Sequence, residues 1–171
     1  MRALLAASLF PATLALATVA SAQSTKGYDF EAAGGAISAG PMQGGAVNAI
    51  ARYCSGEVPT SARRWFAVVE AWRARNAPWM EAADAVREEL FAALRAGGED
   101  PAEVDGLIQP LVQQFIDEQL EMVKAEAERD GVEQACTRFA GVIDDGGADI
   151  EQNGYTASVE MLRKHLRRRS P

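Results

Sequence analysis

The stretch RRWFAVVEAWRARNAPW, Arg63 to Trp79, decides how the rest of the chain is read. It holds all three tryptophans, Trp65, Trp72 and Trp79, spaced seven apart. Seven residues turn an α-helix through about 700°, so the three indoles stand on one face about 10 Å apart. Val68 and Val69 complete the i, i+3, i+4, i+7 pattern with Trp65 and Trp72. Arg63, Arg64, Glu70, Arg73 and Arg75 largely take the other side. Two readings compete. A row of indoles can form a stacking surface for a sugar, a lipid or an aromatic ligand. A stripe shared with valines and leucines instead makes Trp65 and Trp72 core. It then leaves Trp79, just past Pro78, as the main candidate ligand contact.

Pro78 removes a backbone donor and presses on the carbonyl four residues back. The apolar stripe nevertheless keeps its phase beyond it, through Trp79, Ala83, Val86, Leu90 and Leu94. A hairpin at Pro78 would have no reason to preserve that phase. The expectation is one long bent helix over about 60–95, with Thr60 or Ser61 as its cap. Gly97-Gly98 ends it. Asp100, Pro101 and Glu103 open the next helix with a capping carboxylate, a first-turn proline and an acid three residues on. That helix, about 100–129, carries Val104, Leu107, Ile108, Leu111, Val112, Phe115, Ile116, Met122 and Val123 on a wide apolar face. Asp130-Gly131 breaks it. Val132, Cys136, Phe139 and Ile143 mark a further helix. DDGGAD, 144–149, is an acidic loop. Tyr155, Val159, Leu162 and Leu166 mark a last helix within 150–168.

The fold class expected is all-α: a small bundle built on an antiparallel hairpin of the two long helices, with shorter helices around it. The bundle is expected to span 46–168. A short helix over about 45–54 turns Cys54 inward beside Val47, Ile50 and Ala51. Cys54 and Cys136 lie on either side of the hairpin, and a disulfide between them would clamp its open end. The pair spans 82 residues, worth about 4.5 kcal/mol by loop entropy. Residues 23–45, rich in Gly, Ala and Ser without a steady period, read as a flexible leader that docks through Tyr28 and Phe30.

The first 22 residues give the address. Arg2, an Ala/Leu-rich run and Ala20-Ser21-Ala22 form the pattern of a signal peptide cleaved after Ala22. A periplasmic or secreted protein follows, and no later segment is apolar enough to span a bilayer. Such a compartment is where a disulfide persists.

Catalytic signals are thin. Carboxylate pairs such as Glu88/Glu89 and Asp117/Glu118 fall opposite the apolar stripes, where they are solvated charges. The lone histidine, His165, has no Cys or His at ligand spacing, so neither a metal site nor a cofactor is expected. The net charge of −7 argues against nucleic acid. That charge is uneven: Arg163, Lys164, Arg167, Arg168 and Arg169 make a basic tail, 163–171, on an acidic body. The tail is a candidate contact for anionic surfaces, or it lies against its own body.

The signal-like start, Cys54 ahead of a helix reading W-x-A-R-N, and Cys136 in a late helix together resemble small exported helical proteins of Gram-negative bacteria. The resemblance implies a similar fold and compartment and carries over no active site. The function expected is a non-enzymatic binding module whose partner is another envelope protein. The alternative is a carrier for a small apolar ligand, in a pocket between helices near Trp79, Pro78 and Pro110.

Overall fold

The structure, a computed structural model, describes residues 28–169. The expected signal peptide, the first residues of the expected leader, and Ser170 and Pro171 lie outside them. The described chain is all helix: α1 (Phe30–Glu57), a 3-10 turn (Pro59–Ser61), α2 (Ala62–Gly97), α3 (Pro101–Asp130), α4 (Val132–Asp144), α5 (Ile150–Asn153) and α6 (Thr156–Arg169).

The two long helices follow their sequence signals. α2 runs unbroken through Pro78. It buries Trp65, Val68, Val69 and Trp72 before the proline and Ala82, Ala83, Val86, Leu90 and Leu94 after it. Gly98 takes the left-handed conformation, φ 81°, and its amide returns to the Arg95 and Leu94 carbonyls. Asp100 then accepts from the Ala102 amide at 2.9 Å and starts α3. The cap expected at the start of α2 is absent. The Ser61 hydroxyl instead donates back to the Val58 carbonyl at 2.7 Å.

The leader is corrected. From Phe30 onward it is the first half of α1, a 28-residue helix that buries Ala32, Ala33, Ala36, Ile37, Ala39 and Gly40. Asp29 caps it by accepting from Ala32 N–H at 2.9 Å. α1 packs against α2, α3, α4 and α6. A helix contacted from so many sides has no polar face, so its sequence carries no amphipathic period. Its glycines sit where neighbours come closest. A Cβ on Gly35 would stand 2.3 Å from Ser158 Oγ of α6. One on Gly44 would meet Trp72 of α2 at 3.1 Å, and one on Gly45 would meet Ile116 of α3 at 2.3 Å. Three helices approach α1 at three glycines. The features that suggested a loose leader are those of the central helix.

The hairpin geometry changes accordingly. α2 and α3 have the expected lengths and the expected turn between them. Beyond that turn they touch each other little, and each packs mainly on α1. The disulfide joins Cys54 in the last turns of α1 to Cys136 in α4, with Cα atoms 5.6 Å apart. Both cysteines are buried.

Candidate functional site

The W-x-A-R-N segment is a latch for the acidic loop. Trp72 Nε1 donates to the Ala148 carbonyl at 2.9 Å. Arg75 Nη2 donates to the Ile143 carbonyl at 2.5 Å, and its Nε pairs with Asp149 Oδ2 at 3.1 Å. Asn76, 1% exposed, donates to the Trp72 carbonyl and to Asp149 Oδ1, and accepts from the Ile150 amide, each at 2.9 Å. One turn of α2 therefore fixes the whole α4–α5 connection. Every buried polar group in this latch has a partner, which is the pattern of a structural joint.

Of the tryptophans, Trp65 and Trp72 are each 1% exposed and belong to the core. Trp79 is half-buried and packs against that core. The groove around Asp130–Thr137 and the one between Tyr28 and α6 lie elsewhere and include none of Trp79, Pro78 and Pro110.

The basic tail is helix α6, docked on α1 and α2 through Val159, Leu162 and His165. His165 Nε2 lies 3.3 Å from Glu89 Oε2, and Arg168 reaches the other Glu89 oxygen at 3.4 Å. Arg163 pairs with Glu151 and Glu160. Lys164 and Arg167 stay exposed at the rim of an open groove, which Tyr28, Asp29 and Glu160 also line. Arg169 closes the helix. The Tyr28 hydroxyl donates to the Val86 carbonyl at 3.4 Å. Burial, and then the Glu89 charge, push its pKa up to about 12. Of the basic side chains at this groove, His165 and Arg168 share Glu89. The tail is thus spent in good part on its own body.

α3 differs from the other long helices. α1 buries thirteen of its 28 residues, whereas α3 buries only Ile108, Val123, Glu126 and Ala127 of its 30. Leu107 is 50% exposed and Met122 39%. Leu111 and Phe115 are half-buried and stand outside the central cluster. At about 100° per residue these four positions share an arc of about 80°, beside the line that α3 presents to α1. Among the described residues, an apolar ridge is left partly uncovered, most openly at Leu107 and Met122. The sequence did carry the signal: the apolar face of this helix is wider than one contact with a neighbour needs.

Among the described residues, no helix is long and apolar enough to cross a membrane, and no three His, Cys, Asp or Glu side chains are grouped to hold a metal. No family model, no curated protein and no solved structure matches this chain. Its function is therefore argued from its own surface.

Proposed function

We propose that the chain is an exported, non-enzymatic binding module of the cell envelope, and that α3 carries its partner face. The observation behind this reading is the apolar ridge of Leu107, Leu111, Phe115 and Met122 on a helix that is otherwise well anchored. Contiguous exposed apolar surface on a rigid element is a usual mark of an interaction site. The buried disulfide and the signal-like first 22 residues support an oxidising compartment.

A photo-crosslinking residue at position 107, in the chain expressed in a Gram-negative envelope, tests the reading. A matching residue at position 160, on α6, is the control. The expected result is a discrete adduct from position 107 that is absent from position 160. No adduct, or identical adducts from both positions, overturns it. The same cells should yield a mature chain that begins at Gln23.

The carrier reading keeps one support: Trp79 is the tryptophan left half-buried. An apolar ligand held there would change its emission alone.

A further inference from the structure

The ridge on α3 has a mainly acidic rim. Going around the helix from the buried line, the apolar arc comes first, and Glu118 lies within it. The next arc of about 80° carries Glu103, Asp117, Glu121 and Glu128. All five carboxylates are exposed. Asp117 and Glu118 each accept from a neutral glutamine, Gln113 and Gln114, so both keep their charge. Lys124 pairs with Glu121 at 2.7 Å and also feels the charge of Asp117, while among the described residues Glu118 has only its neutral glutamine. A partly exposed apolar stripe beside an acidic row that one lysine only partly offsets specifies its complement: an apolar stripe beside a basic row.

The fold already contains one such pairing. α6 is a basic amphipathic helix. It lays Val159, Leu162 and His165 against the body, and Arg168 reaches the acidic Glu89 of α2. α3 offers a surface of that kind on which none of the described residues lies.

We propose that α3 docks a cationic amphipathic helix of a partner protein. The leucine-type face of that helix would lie on Leu107, Leu111, Phe115 and Met122, and its Lys/Arg edge along Asp117, Glu118 and Glu121. The ridge spans fifteen residue steps, about 22 Å, so a partner segment of about four turns covers it. The apolar contact supplies the affinity, and the acidic rim selects the partner and its orientation. This inference rests on the binding-module reading and adds the chemistry of the partner.

The test uses the mature chain and three synthetic helices of about sixteen residues. The first has leucines on one face and lysines along one edge. The second replaces the lysines with glutamates. The third keeps the lysines and replaces the leucines with serines. Binding is read by fluorescence anisotropy at about 150 mM salt, where exposed charges alone are strongly screened.

The first helix should bind at least about tenfold more tightly than either of the others. The double variant Leu107→Ser/Met122→Ser should lose most of that binding, and circular dichroism should confirm that it is folded. Glu118→Lys/Glu121→Lys should reverse the preference between the first two helices. Equal binding of the serine helix reduces the effect to bulk charge and overturns the proposal. Equal binding of the glutamate helix removes the role of the rim and also overturns it. A dimer of the chain that Leu107→Ser dissolves would make a second copy the occupant, with the same consequence. If no helix binds while position 107 still crosslinks in cells, the partner chemistry falls and the binding module stands. If the first helix binds but position 107 captures nothing in the envelope, the module reading falls instead.

Discussion

Gly35 of α1 and Ser158 of α6 pack so closely that a methyl group on the glycine would stand 2.3 Å from Ser158 Oγ and 3.3 Å from its Cβ. Ser158 is fully buried, and its hydroxyl has no hydrogen-bond partner among the described residues. It has little room to turn aside. In open helix, Gly→Ala stabilises by up to about 1 kcal/mol. Overpacking a tight site costs about 1–3 kcal/mol. Gly34, next door, has nothing within 4 Å of an added Cβ. Gly34→Ala should therefore raise the urea midpoint and Gly35→Ala should lower it. Ser158→Ala should be neutral or stabilising alone, and should restore much of what Gly35→Ala loses. Equal gains from both glycine substitutions would show that α6 does not press on α1 there.

Asn76 should matter more than its charged neighbour Arg75. Replacing it with leucine keeps most of its volume but removes three hydrogen bonds, and the Ile150 amide then loses the Asn76 acceptor beside a fully buried side chain. An unsatisfied buried amide costs about 1–3 kcal/mol, so Asn76→Leu should lose at least about 2 kcal/mol of unfolding free energy. Arg75 is one-third exposed at its side chain, and its ion pair with Asp149 is screened. Arg75→Ala should cost about 1 kcal/mol. Urea denaturation of the two variants gives the order, and a smaller loss at Asn76 would refute the latch.

What the sequence revealed follows from which helices have a polar side. α2 separates Trp65, Val68 and Trp72 from Arg63, Glu70 and Arg73, so its length and its passage through Pro78 were legible. The Asp100-Pro101 start, the Gly98 stop and the pairing of Cys54 with Cys136 were legible for equally local reasons. α1 was not, because a helix surrounded by neighbours has no period, and Gly35, Gly44, Gly45 and Pro41 all imitate a loop. That α1 takes up most of the packing of both α2 and α3 was hidden with it. For the candidate face, the apolar residues of α3 were all in view. Which of them stay uncovered depends on where α1 lies, and that information is tertiary.

The tryptophan emission should divide unequally. Trp65 and Trp72 are shielded, whereas Trp79 is half-buried. Acrylamide should quench a minor fraction of the emission, and Trp79→Phe should remove most of that fraction. A quenchable fraction that survives Trp79→Phe would contradict the burial of the other two. A blue shift on adding an apolar ligand, lost in Trp79→Phe, would move the function toward the carrier.

Alkaline pH should expose the joint between Tyr28 and α2. The phenol of Tyr28 is held neutral by burial and by the nearby Glu89 carboxylate, which raise its pKa from 10.0 to about 12. Between those two values the folded chain holds a proton that the unfolded chain has lost. Stability from this group is therefore fully present below pH 10 and declines as the pH rises toward about 12. Tyr28→Phe cannot ionise, so its stability should fall less steeply across that window, although it gives up the hydrogen bond to the Val86 carbonyl at every pH. Absorbance at the phenolate band should show a step near pH 12 in the native chain, and that step should vanish in Tyr28→Phe. If Tyr28→Phe removes a step near pH 10 instead while the chain remains folded, Tyr28 does not pack under Glu89, and the seating of the start of α1 against α2 is wrong.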